Sequence, residues 1–139
     1  MTLEPREFDT AIATLIVINK DLVEIHYKPG ILFDPKSVAE VQMKRRELMG
    51  SRPYSTLTLI PEDVDFSLET MRQDQGQADR TQSQLLASAV VCRSNMIEML
   101  TKLYFSYYPQ LHRILVTDKE QQARDWLEQQ LKEITRTGS

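Results

Sequence analysis

Apolar and polar positions change period several times along the chain, and each change marks an element. Ile12–Ile18 is dense in β-branched residues, and Leu22–Tyr27 alternates Val23, Ile25 and Tyr27 with Glu24 and His26. Asn19-Lys20-Asp21 between them carries turn chemistry, so the two stretches predict a β-hairpin that Pro29-Gly30 ends. Asp34-Pro35 supplies an acceptor side chain and a first-turn proline, predicting a helix that runs to Gly50. Its apolar face carries Val38, Val41, Leu48 and Met49, with Arg45 in the middle. Tyr54–Ile60 predicts a strand stopped by Pro61. An acidic loop, Glu62-Asp63-Val64-Asp65, and a polar helix from about Ser67 to Gln73 follow.

Leu85–Cys92 is a short apolar run with small residues, and its length and flanks predict a buried strand. Residues 78–84 fit a strand or a helix equally. Asn95-Met96-Ile97-Glu98 resembles a capping box, opening a helix to about Tyr108 before Pro109. His112–Val116 reads as the last strand. Thr117-Asp118-Lys119-Glu120 is a second box, before a helix striped by Ala123, Trp126, Leu127, Leu131 and Ile134. The order is β-β-α-β-α-β-α-β-α. A hairpin followed by strand–helix alternation implies an α/β domain with one mixed, mostly parallel five-stranded sheet and four helices. The expected domain spans 12–134, between a flexible leader at 1–11 and a disordered tail at 135–139. In such sheets ligands gather at the carboxyl ends of the parallel strands, here Pro29-Gly30, 61–67, Arg93-Ser94-Asn95 and Thr117-Asp118.

Composition narrows the function classes. The 139 residues include 41% hydrophobic side chains, enough for one real core without staples. Seventeen basic against 20 acidic residues give a net charge of −3, and the one basic cluster is Lys44, Arg45, Arg46 and Arg52. That is too small a footprint for nucleic acid. The single cysteine, Cys92, cannot form an intrachain disulfide, and no apolar run approaches the roughly 20 residues that span a bilayer. The polar, acidic N-terminus is unlike a secretory signal, so the expected location is cytoplasmic.

The same order of elements, carried by HYKPG at 26–30, RRELMGSRPY at 45–54, STLTLI at 55–60, VVCRSN at 90–95 and YYPQLHRILVTDKEQQARDWL at 107–127, resembles a group of small uncharacterised bacterial proteins. These have a STAS/SEC14-like fold akin to anti-sigma-factor antagonists, also called SpoIIAA-like. The resemblance covers about residues 12–132 and implies a STAS-like fold and a non-enzymatic role in regulation by binding. Related STAS domains act through protein partners or small ligands. Anti-sigma-factor antagonists carry a phosphorylated serine in an Asp-x-Ser-Gly context at the helix after their third strand. Asp65-Phe66-Ser67-Leu68 is similar, with Leu68 in place of the glycine.

Ser67 is therefore a candidate phospho-switch, with a plain helix cap as the alternative. Arg45 must find a partner, or face an anionic ligand, because a guanidinium amid apolar positions cannot stay unpaired. Arg93, Ser94 and Asn95 are the other candidate anion or partner contacts. Met96, Met99, Leu103, Tyr104, Phe105 and Tyr108 give the helix from Asn95 an apolar arc wider than a core stripe needs, with Phe105 outside the main arc. That excess predicts a dimer face, a partner face or the wall of a ligand pocket. His26, His112 and Cys92 lack metal-ligand spacing, and the chain has neither a glycine-rich phosphate loop nor a nucleophile elbow, so no metal, cofactor or catalysis is expected. Two functions result. The first is a regulatory or protein-interaction module, homodimeric and outside the membrane. The second is a binder of small apolar, lipid-like ligands with Arg45 or Arg93 at the head group.

Overall fold

In the computed structural model, residues 6–50, 52–71, 85–109 and 112–138 are described. The elements are β1 (Arg6–Asp9), β2 (Ala13–Asn19), β3 (Leu22–Tyr27), β4 (Leu32–Phe33), α1 (Pro35–Met49), β5 (Tyr54–Ile60), β6 (Asp65–Phe66), α2 (Leu68–Met71), β7 (Leu85–Cys92), α3 (Asn95–Tyr107), β8 (Arg113–Thr117) and α4 (Glu120–Gly138). One sheet runs β1-β2-β3-β5-β7-β8, and β4 pairs with β6 in a second, two-stranded sheet. The β1-β2 and β2-β3 pairings are antiparallel, and the other three in the large sheet are parallel. The predicted α/β class, with its mixed, mostly parallel sheet, is that of the molecule; four helices stand among the described residues, and β1, β4 and β6 are added to the predicted order.

The large sheet has six strands rather than five. Arg6–Asp9, within the expected flexible leader, pairs along β2 as an edge strand. Its REFD sequence is too polar to show a strand period, and edge strands tolerate such residues because half their backbone faces water. Asp9 accepts a hydrogen bond from Thr14 at 2.6 Å, and the Lys44 ammonium of α1 lies 5.1 Å from the Phe8 ring centroid. At the other end α4 reaches Gly138, past the start of the tail expected to be disordered from 135. Residues 78–84, open between strand and helix, and the end of the helix expected to reach Gln73 lie outside the described residues.

Each helix begins where local chemistry places it. Asp34 caps α1 by accepting from the Ser37 amide at 2.9 Å, Pro35 takes the first helical position, and Gly50 ends the helix at a positive φ of 71°. The cap of α3 is Ser94, one residue before the expected Asn95. Its hydroxyl accepts from the Ile97 amide at 3.4 Å, and no capping-box glutamate stands at that spacing. Gly30, at φ 73°, turns the chain out of β3 and donates to the Asp63 carbonyl at 2.8 Å.

Strand alternation sorts the sheet into two faces. Leu15, Val17, Val23, Ile25, Tyr54, Ile60, Val90 and Cys92 point to the larger core, closed by Val38, Val41 and Met49 of α1 and Ile97 of α3. Leu57, Ala87, Ala89 and Val91 point the other way, onto Ala123 and Leu127 of α4. The alanines on β7 let that helix approach the sheet closely.

Candidate functional site

The larger core is not filled. A cavity of about 160 Å³ lies between the sheet, α1 and α3, with α2 at its margin. Ile25, Ile60, Val90, Tyr104 and Phe105 form apolar wall, while Thr56, Thr58 and Ser88 place hydroxyls along the β5-β7 floor. Tyr27, Phe33 and Phe66 are packed ring to ring at one wall, with centroids 4.6 and 4.5 Å apart.

Arg45 lines this cavity and is 1% exposed. Its Nε donates to Gln42 Oε1 at 2.9 Å, a second nitrogen donates to the Tyr54 hydroxyl, and the guanidinium lies 5.8 Å from the Tyr54 ring centroid. The residue that breaks the apolar stripe of α1 is thus held from its own helix and from the first residue of β5. Burial pushes the Tyr27 hydroxyl well above the usual tyrosine range, against the opposing charge of Arg45.

The other candidate contacts lie elsewhere. Arg93 reaches Glu120 at 2.8 Å on the α4 side, Ser94 is occupied as a cap, and Asn95 is exposed at the start of α3. The carboxyl ends of the parallel strands, where a ligand was expected, therefore do not gather these residues around one hollow. Ser67 is a cap: its hydroxyl accepts from the Thr70 amide at 3.1 Å and bonds the Thr70 hydroxyl at 2.8 Å. Thr70 in turn donates to the Phe33 carbonyl at 2.5 Å.

Helix α3 has two unlike sides. Ile97 and Thr101 are buried, and Tyr104, Phe105 and Tyr108 are half-buried behind them. Phe105, grouped by sequence with the contact face, packs against the core because it falls eight residues after Ile97 on the inward side. Met96, Met99, Leu103 and Tyr107 form the outer stripe, each 57–78% exposed. Glu98 and Lys102 pair beside it at 3.4 Å.

Sequence reasoning missed the hydroxyl floor and a charged network on the opposite face. Thr56, Thr58 and Ser88 share strand parity with Tyr54, Ile60 and Val90, which was the available signal. In the network Glu24 on β3, itself buried, bonds His26 at 2.8 Å and accepts from Arg124 of α4 at 2.9 Å. Arg124 also pairs with Glu120 at 2.9 Å. Burial alone would raise the Glu24 carboxyl, but the hydrogen bonds from Arg124 and His26 outweigh it and hold it below its ordinary value. Cys92 is fully buried near Thr101, and burial pushes its thiol up to about 11, as an inert core residue requires.

No curated protein matches this chain. Among solved structures, it is similar to an uncharacterised protein of the DUF3478 family with a SpoIIAA-like fold from Shewanella loihica PV-4. The two share 11% sequence identity over 89% of this chain and 92% of the other, with a TM-score of 0.51. At that identity the likeness shows the fold alone, and the fold is the SpoIIAA-like one. A family model, the domain of unknown function DUF7793, matches residues 16–131, and the chain belongs to that family.

Proposed function

We propose that this chain is a non-enzymatic regulatory module of SpoIIAA-like fold that works by protein contact through the outer face of α3, as a homodimer or with a regulatory partner. The observation that carries this reading is the stripe of Met96, Met99, Leu103 and Tyr107, apolar and exposed on a helix whose other side already closes the core. Apolar side chains that line up on one face leave a cost in water that a partner surface removes. Methionines suit such a face because they adapt to the shape presented.

Native mass spectrometry of the intact chain tests it. A dimer, or a reproducible protein partner in material from the native host, supports the reading. Leu103→Glu should abolish that assembly and leave the circular dichroism of the fold unchanged. A wild-type chain that remains monomeric and partnerless contradicts it. A switch at Ser67 is the finer form of the proposal: phosphorylation there would remove the proton that the Ser67 hydroxyl shares with Thr70 and place an anion beside the start of α2, and a mass gain of one phosphate on native material would support it.

A second reading, binding of a small apolar ligand, is favoured by the cavity beneath α1 and α3. Its residues differ from the outer stripe, so the two readings can be tested apart.

A further inference from the structure

We propose that the outer face of α3 is covered by the same face of a second copy of this chain, the two helices running antiparallel about a two-fold axis near residue 101; this deepens the proposed contact through α3 and rests on it.

The exposed stripe has two unlike margins. Projected at about 100° per residue, Met96, Met99, Leu103 and Tyr107 fall along one line of the helix, away from the buried Ile97 and Thr101. Asn95, Lys102 and Ser106, all exposed, border that line on one flank, with Glu98 beyond them. Leu100 and Tyr104, both half-buried, border it on the other.

Symmetry decides which margins meet. A two-fold contact is isologous, so each margin of the helix is met by a margin of its own copy. In a parallel pair the polar flank of one helix would cover the apolar flank of the other, taking the Lys102 ammonium out of water against Leu100 and Tyr104. In an antiparallel pair each flank meets itself. An axis near residue 101 then sets Met96 beside Tyr107 of the second copy, Met99 beside Leu103, Leu100 beside Tyr104, and Asn95 beside Ser106. The helix dipoles also oppose in that arrangement, which favours it further.

Charge follows the same pattern. Glu98 and Lys102 are the charged residues of α3, paired at 3.4 Å within the helix, and the Lys102 side chain is 59% exposed. The second copy presents them in inverted order, so the Lys102 of each copy stands toward the Glu98 of the other and no like charges face. A face that complements itself in both its apolar pairs and its charges fits a second copy of this chain.

The test uses Glu98→Lys and Lys102→Glu in the full chain, separately and mixed, by sedimentation velocity over a concentration series, with circular dichroism to check the fold. Each variant alone opposes like charges at both contacts of the dimer and should assemble roughly tenfold more weakly than the wild type. Mixed in equal amounts, the two variants oppose acid and base at both contacts, and assembly should recover. The intrahelical pair is broken in both, so its loss cannot account for that recovery. Independently, Met99→Cys mixed with Leu103→Cys should cross-link on oxidation faster than either variant alone, with Cys92 buried out of reach. No recovery on mixing, or faster cross-linking within each single variant, would overturn the antiparallel second copy and leave the α3 contact standing. So would a wild type that is monomeric at every concentration yet binds a foreign protein that Leu103→Glu does not. Assembly unaffected by Leu103→Glu would overturn both.

Discussion

At the scale of single residues, the informative positions are polar side chains at apolar places. Arg45 stands out in sequence because it interrupts the face made by Val38, Val41 and Met49, and its burial against Tyr54 is the structural answer. Thr56, Thr58 and Ser88 were harder to read, since threonine and serine fit any β-strand and the fault shows only when strand parity is tied to the core. Their energetics can be separated. Tyr54→Phe should destabilise the fold by about 1–3 kcal/mol, because it leaves a buried guanidinium short of an acceptor. Tyr27→Phe, which removes a hydroxyl with no partner among the described residues, should cost nothing or stabilise slightly; urea denaturation of the two variants compares them directly. Cys92 offers a third check. With its thiol pushed up to about 11, about one molecule in a thousand is thiolate at pH 8, so a disulfide reagent should label the chain only after unfolding.

Among the elements, the helices and main strands were legible because each is long enough to show its period and carries its own stop. Asp34-Pro35 and Gly50 bound α1 in sequence and in space. What escaped notice was short or polar: β4 and β6 have two residues each, below any period, and β1 exposes most of its side chains. The cap of α3 moved to Ser94 because the serine hydroxyl reaches the Ile97 amide, while Asn95 already lies inside the helix. Replacing a cap of this kind by alanine typically costs about 1 kcal/mol, and Ser94→Ala should lower the unfolding free energy by that amount in chemical denaturation.

The network joining β3 to α4 adds a dependence on pH. Glu24 is held below its ordinary value of 4.5 in the folded chain, so its contribution to stability is present above that pH and is lost as pH falls through the folded value. Glu24→Gln should flatten the acid limb of a stability profile, measured by denaturation at a series of pH values. An unchanged acid limb would mean that the Arg124 pairing does not favour the carboxylate.

For the whole molecule, the sheet separates two kinds of packing. On one face α4 sits tightly on the alanines of β7, and on the other α1 and α3 stand over a floor of hydroxyls with space between. The same α3 that roofs this space presents Met96, Met99, Leu103 and Tyr107 outward. The fold class could be read from the sequence; which residues of this helix point out and which point in could not, because its apolar arc is wider than one face. Phe105 shows the difficulty, since helical spacing alone does not say which edge of a wide arc meets the sheet. Sedimentation velocity on the wild-type chain and on Leu103→Glu tests the role of that outer face most directly. The wild type should sediment as a dimer, or as a complex when supplied with its regulatory partner, and the variant as a folded monomer. A variant that assembles as the wild type does, or a wild type that is monomeric with every candidate partner, would contradict it.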